Sequence, residues 1–175
     1  MSQIVMDAAG IKRTLGRLAH EILESNGGAK DVVVVGILRR GWPVAKRVAF
    51  MMAQIEDAAI PHGKLDIRPS RDDQKTTEDD TDIPFSIEGK NVVLVDEVIF
   101  TGRTIRAAMD ALMKHGRPAK VQLAVIIDRG HRELPIQPDF CGKQLETEPT
   151  DFIDVLLTDA QGEDAVVLMS AGERT

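Results

Sequence analysis

Three short apolar runs rich in β-branched residues, VVVVGI at 32–37, VVLV at 92–95 and VQLAVII at 121–127, constrain the fold most, because each ends abruptly in a polar turn. Continuous runs of this kind suit strands covered on both faces, as in a parallel sheet. Helical spacing accompanies them. Residues 11–25 place Ile11, Leu15, Leu18 and Ile22 on one stripe that stops at Asn26-Gly27-Gly28. Pro43 fits a first helical turn continued by Val44, Val48, Met51 and Ile55, and a helix from about Arg103 to His115 carries Ile105, Met109 and Leu112 before Gly116. With a further strand read at 63–67, this alternation predicts an α/β fold, a mostly parallel sheet with helices on both faces. Residues 152–157 and 165–169 flank DAQGED and predict a closing hairpin. The stretch 69–82, PSRDDQKTTEDDTD, has almost nothing to bury and is expected to be a mobile surface loop.

The 175 residues, 43% hydrophobic, suit one domain spanning 1–175. No apolar run approaches the roughly 18 residues needed to cross a bilayer, so a cytoplasmic protein is expected. Cys141, the sole cysteine, excludes an intrachain disulfide and a four-thiolate zinc site. The net charge of −6 is uneven: residues 1–70 carry 10 Lys/Arg against 7 Asp/Glu, and residues 141–175 carry 2 against 8. An anion site is therefore expected in the first four-fifths of the chain, and the balance alone does not suggest nucleic acid.

The chemistry concentrates in VVLVDEVIFTGRT. The apolar run delivers Asp96 and Glu97 to the carboxyl end of a strand, where sheet ligands bind. Beyond Val98, Ile99 and Phe100, the segment Thr101-Gly102-Arg103-Thr104 opens a helix with backbone N–H groups, two hydroxyls and a guanidinium, a cradle sized for phosphate. Carboxylates beside such a cradle would repel the ligand unless they address hydroxyls or a cation, which points to a phosphorylated sugar with Mg²⁺ held by Asp96 and Glu97, directly or through water. The spacings GxxxxGK[ST] and GxGxxG are absent. A second candidate anion turn is Gly36-Ile37-Leu38-Arg39-Arg40-Gly41, with a basic turn facing water as the plain alternative. A third turn, Asp128-Arg129-Gly130-His131-Arg132, could meet the others at the same sheet edge and hold a planar ring, or form an ordinary exposed connection. His131 has no companion that would make it a metal ligand. Arg71 is the candidate lid charge on the 69–82 loop.

The Asp96–Thr104 element resembles the diphosphate-sugar signature of type I phosphoribosyltransferases. With VGILRRG, LDI…RDD, TDIPFSIEGK and DRGHRELPI, the chain resembles over nearly its whole length the PyrR family, bifunctional pyrimidine-operon attenuation regulators with uracil phosphoribosyltransferase activity. That resemblance implies a twisted sheet with a small hood, a homodimer or homotetramer, and phosphoribosyl diphosphate and uracil as substrates. It also implies UMP and UTP as regulatory ligands and the pyrimidine-operon leader mRNA as partner. It further implies that Asp96 and Glu97 hold the ribose hydroxyls and residues 101–104 the 5′-phosphate. Leu38, Arg39, Arg40 and Gly41 would form a pyrophosphate turn that often contains a cis peptide. Arg71 would shield the reacting centre and Asp128, Arg129 and Gly130 would line the base site. Candidate RNA contacts are Lys12, Arg13, Arg17, Lys75, Arg132 and Lys143, dispersed in sequence. The chain departs from the family pattern at Glu97 for aspartate, at Phe100 for tyrosine, at Pro69-Ser70 and at the acidic 145–151. Salvage of another base without RNA binding, or nucleotide sensing with little turnover, remain the alternatives.

Overall fold

The computed structural model describes residues 2–158 and 163–173. Its five-stranded sheet runs β3 (His62–Leu65), β2 (Val32–Ile37), β4 (Asn91–Ile99), β5 (Lys120–Asp128), β6 (Phe140–Gln144), with each neighbouring pair parallel. Side-chain alternation divides the core. Val32, Val34, Val93, Val95, Ala124 and Ile126 join one buried cluster with α1 (Ala8–Asn26) and α2 (Gly41–Glu56). Val33, Val35, Val92, Leu94, Leu123 and Val125 join the other with α3 (Arg103–Met113). Apolar side chains on both faces of every central strand are why the runs carry no polar alternation.

A second, three-stranded antiparallel sheet has the order β1 (Gln3–Met6), β8 (Ala165–Met169), β7 (Phe152–Leu156). It is the small hood, and the expected hairpin of 152–157 with 165–169 is its β7–β8 pair. The tip of that hairpin, 159–162, lies outside the described residues. Met6, Ile153, Val155 and Val166 continue the core of α1 and α2 into it.

Several boundaries differ from expectation for identifiable reasons. β4 was expected to stop at Val95 before a turn, but it continues through Ile99 because β5 offers partners that far, with Asp96 opposite Val125 and Ile99 opposite Asp128. α1 begins three residues early, at Ala8, where the Asp7 carboxylate accepts the Gly10 N–H at 2.7 Å and caps the turn. α3 stops at Met113, so His115 lies beyond it. β1 and β6 have no local sequence signal. Among the described residues, no helix is long and apolar enough to cross a membrane.

Two glycines let the turn after β2 sit close to the sheet. A Cβ on Gly36 would meet Ala45 Cβ and Trp42 Cα, each at 2.7 Å, so α2 can lie against β2 only if no side chain intervenes. Gly36→Ala is expected to lower stability in urea unfolding by about 1–3 kcal/mol, the usual range for forced overpacking. An unchanged midpoint would mean that α2 can shift without cost.

Candidate active site

Three turns meet at the carboxyl edge of the parallel sheet. The first leaves β2 through Leu38-Arg39-Arg40, with the Leu38–Arg39 peptide cis, and enters α2 at Gly41. A Cβ on Gly41 would meet the Val95 carbonyl oxygen at 2.4 Å and Asp96 Cα at 3.0 Å. This near-contact sets the turn directly against the end of β4. A cavity of about 270 Å³ results, lined by Leu38, Arg39, Arg40, Ile67, Arg68, Arg71, Asp96, Glu97, Val98 and Thr104. The sequence candidates from the first turn, the strand end, the loop and α3 are thus brought together in one place.

Asp96 is buried by this packing, and Glu97 is half-buried between this cavity and the next. Burial, and then the neighbouring Glu97 carboxylate, push the Asp96 carboxyl well above its ordinary range. Burial pushes Glu97 up to about 7, against the opposing pull of the Arg40 guanidinium. Asp96 Oδ1 accepts the Glu97 N–H at 2.9 Å, whereas Glu97 Oε2 is buried without a hydrogen-bond partner among the described residues. A buried acceptor left open in this way calls for a hydroxyl or a cation from outside. Among the described residues no three Asp, Glu, His or Cys side chains converge as a metal cage. Two hard carboxylates completed by ligand oxygens and water are nonetheless a donor set that suits Mg²⁺.

The helix side of the cavity is α3. Gly102 precedes it at φ +92°, no side chain caps it, and Thr101 Oγ1 accepts the Arg103 N–H at 3.3 Å. The remaining first-turn N–H groups have no helical acceptor and favour an anion. Each candidate guanidinium here already has a carboxylate neighbour. Arg39 meets Asp80 at 2.6 Å, Arg71 meets Asp73 at 2.7 Å, and Arg103 meets Asp72 at 3.0 Å and Glu133 at 2.9 Å. Ile99, expected among the ligand contacts, is instead buried in the core on the α3 side.

The third turn borders a second cavity of about 290 Å³ under the hood, lined by Arg40, Glu97, Val98, Phe100, Arg129, Phe152 and Ile153. Arg129 is buried, with its guanidinium carbon 4.0 Å from the Phe100 ring centre, and donates to the carbonyls of Asp151 at 2.8 Å and Glu148 at 3.0 Å. Its Nε is buried without a partner. Asp128 and Gly130 brace the turn: the Asp128 carboxylate accepts the Gly130 N–H at 3.0 Å and an Arg132 N–H at 2.7 Å. Of the expected trio, Arg129 alone lines this cavity.

The acidic segment 145–151, opaque in sequence, is the wall that Arg129 holds, and His131 Nε2 lies 2.6 Å from the Thr147 carbonyl in the same wall. Sequence reasoning missed Phe152 and Ile153, which sit on a short hairpin strand with no motif. It also missed Asp66, whose buried carboxylate pairs with Arg68 and is held down to about 2 by that guanidinium. A polar pair two residues apart at a strand end was the available signal for Asp66.

The basic candidates divide. Arg13, Arg17 and Lys143 converge on a cleft of about 570 Å³ between β1 and α1, and Lys12 and Arg13 line the adjoining groove between α1 and α2. Lys75 lies apart from them, in the loop after Arg71. Arg132 turns inward and must be removed from the surface set, because its guanidinium serves the carbonyls of Ile136 at 2.7 Å and Phe100 at 3.0 Å as well as Asp128.

The phosphoribosyl transferase domain family matches residues 3–155. The protein from Enterococcus faecalis named bifunctional protein PyrR is 49% identical over 173 residues, covering 97% of each chain. The chain belongs to the PyrR family. The bifunctional protein PyrR of Pelotomaculum thermopropionicum is likewise 49% identical, over 97% of this chain and 96% of its own. The hypoxanthine phosphoribosyltransferase of Trypanosoma cruzi superposes with a TM-score of 0.73 over 97% of both chains at 16% identity, a likeness of fold alone.

For this PyrR-family site the raised carboxyl values carry a definite sign. The folded chain holds the Glu97 proton to about pH 7, the unfolded chain only to about 4.5, so the unliganded protein loses stability as pH rises between those values. Glu97→Gln is expected to gain about 1–3 kcal/mol over the parent at pH 8 and nothing at pH 4, read by urea unfolding at each pH. Equal gains at both pH values would show that packing, not ionisation, was responsible.

Proposed function

We propose that the chain transfers the phosphoribosyl group of phosphoribosyl diphosphate to uracil, releasing diphosphate and forming UMP, and that it also binds pyrimidine-operon leader mRNA in response to uridine nucleotides. One observation carries the first role: the turn 38–41, the carboxylates of Asp96 and Glu97 and the start of α3 line one cavity, beside an aromatic-walled one under the hood. In this reading the N–H groups and hydroxyls of residues 101–104 hold the 5′-phosphate, and the turn 38–41 receives the diphosphate. Asp96 and Glu97 accept from the ribose hydroxyls, which supplies the partner that Glu97 Oε2 lacks. Uracil lies between Phe100 and Phe152, near Arg129.

The reaction is displacement at the anomeric carbon, in which a uracil ring nitrogen forms the new bond and gives up its proton to the departing diphosphate or to water as the bond to diphosphate breaks. No covalent nucleophile is needed. The site acts by alignment and by placing the Asp96 and Glu97 carboxylates, ionised once ligand hydroxyls and a cation engage them, near a ribose that gains cationic character, while Arg39 and Arg71 offset charge on the departing diphosphate. Mg²⁺, held by Asp96 and Glu97 with ligand oxygens, would neutralise part of the diphosphate charge. Arg40, tied to Asp154 and to the Val155 carbonyl of the hood, links the diphosphate turn to the base cavity.

Support for the RNA role comes from the near-half identity to proteins named bifunctional and from the basic cleft of Arg13, Arg17 and Lys143, continued by Lys12. Recognition of RNA by shape can use a modest basic surface on an acidic chain. A homodimer or homotetramer is part of the reading, with the exposed Phe50 and Ile55 of α2 as the apolar surface offered. UMP and UTP would occupy the same cavities as the substrates.

Asp96→Asn should fold normally and reduce uracil phosphoribosyl transfer by at least about tenfold, since a carboxylate opposite the developing charge is lost; undiminished turnover would remove Asp96 from the site. Replacing Arg13, Arg17 and Lys143 together by alanine should weaken leader-RNA binding at 0.1 M salt and flatten its salt dependence by about 2–3 logarithmic units per decade. The same slope as the parent would place the RNA elsewhere.

A further inference from the structure

The loop between the two phosphate-sized turns carries its own anions. Its start is fixed to α3, where the Arg106 guanidinium and the Lys114 ammonium donate to Ser70 O at 3.1 Å and Ser70 Oγ at 3.0 Å. Its end is fixed to β3 by the Lys64–Asp82 bridge and by the buried Asp66 carboxylate, which accepts the Asp80 N–H at 2.9 Å. Between these anchors Asp72 reaches Arg103 at the opening of α3, and Asp80 reaches both Arg39 in the cis-peptide turn and, at 3.2 Å, Arg68. The same short segment thus places one carboxylate on a guanidinium of each cradle.

We propose that Asp72 and Asp80 are internal competitors for the phosphate sites, occupying Arg103 and Arg39 until a phosphorylated ligand displaces them. The inference rests on the phosphoribosyl diphosphate reading of the cavity. Displacement is physically accessible because both pairs lie in water: Arg39 and Asp80 are 64% and 53% exposed, Arg103 and Asp72 46% and 48%. Exposed pairs are weak, and phosphate oxygens offer guanidinium more charge and more acceptors than a carboxylate does. The consequence is selectivity. Each exchange yields only a small net gain, so a small anion that engages one cradle sets one such gain against its loss of translational freedom, whereas a ligand with phosphate at one end and diphosphate at the other sets two against the same single loss.

The test is calorimetric titration of the full-length protein with inorganic diphosphate and with phosphoribosyl diphosphate, at fixed pH, Mg²⁺ and salt. Asp80→Asn, Asp72→Asn and the double variant are compared with Asp79→Asn. Asp79 stands on the same loop, accepts the Thr81 N–H at 3.0 Å and pairs with no arginine among the described residues, so it controls for net charge. Asp80→Asn is expected to bind diphosphate about 3- to 5-fold tighter and the double variant to bind phosphoribosyl diphosphate up to about 10-fold tighter, with Asp79→Asn within about twofold of the parent. Asp72→Asn, whose carboxylate bonds no backbone group in the structure, keeps the test open if Asp80→Asn unfolds the loop. Binding by the parent with no gain beyond that of Asp79→Asn would overturn the competitor role alone. Failure of the parent to bind either ligand would overturn the phosphoribosyl diphosphate reading and this inference with it.

Discussion

The approach of Gly41 to the end of β4 is the contact on which the site depends. With 2.4 Å between a notional Cβ and the Val95 carbonyl oxygen, the turn after β2 has no room for a side chain and lies directly on the strand that carries Asp96 and Glu97. That proximity buries Asp96, and its raised proton affinity follows. A solvated strand end with the same two residues would be an ordinary acidic surface. Here the fold spends stability to keep one carboxylate dry and one oxygen of its half-buried neighbour Glu97 open, a cost that an incoming hydroxyl or cation relieves. The alternation of strand and helix serves this arrangement by bringing β2, β4 and β5 to one edge in register.

The parallel sheet was legible because its central strands are buried on both faces, which leaves unbroken runs such as 32–37 whose ends coincide with the strand ends. The same signal failed at β4, where carboxylates interrupt the apolar run although hydrogen bonding to β5 continues for four more residues. Strands whose partners are distant in sequence left no trace. β1 pairs with β8, more than 150 residues away, and β6 leans on β5 with little apolar character of its own. The candidate cradle at the start of α3 could be placed from composition and spacing, since glycine, hydroxyl and arginine there mark a helix start. The cavity under the hood could not, because Phe152 and Ile153 reach it only through the hood's pairing.

Segment 145–151 shows how an acidic stretch can serve structure without using its charge. Arg129 binds it through the carbonyls of Glu148 and Asp151, not through their carboxylates, and Thr147 Oγ1 returns a bond to the Arg129 carbonyl at 3.0 Å. A buried guanidinium held by two backbone oxygens and set over Phe100 fixes the wall of the cavity under the hood whatever side chains the segment carries. The acidic side chains of this segment are therefore compatible with an intact hood, and their effect must be sought in the field they add near the cavity, not in the fold.

Burial then separates two kinds of ion pair around the same site. Arg68–Asp66 and Arg132–Asp128 set carboxylates that are only 3% and 8% exposed against guanidinium groups already committed to neighbouring oxygens, so breaking either would strand a buried charge. These pairs are framework: the first anchors the loop at its return and the second shapes the turn beneath the hood. Arg39–Asp80 and Arg103–Asp72 are half in water, where each partner can be resolvated at little cost. Pairs of the first kind hold the walls in place while pairs of the second kind can be exchanged, and when Asp80 gives up Arg39 and its 3.2 Å contact with Arg68, Arg68 keeps the buried Asp66. A chain of net charge −6 can in this way receive an anionic ligand: the acid on the loop is set beside the cations it shields, and the exchange leaves the buried framework paired.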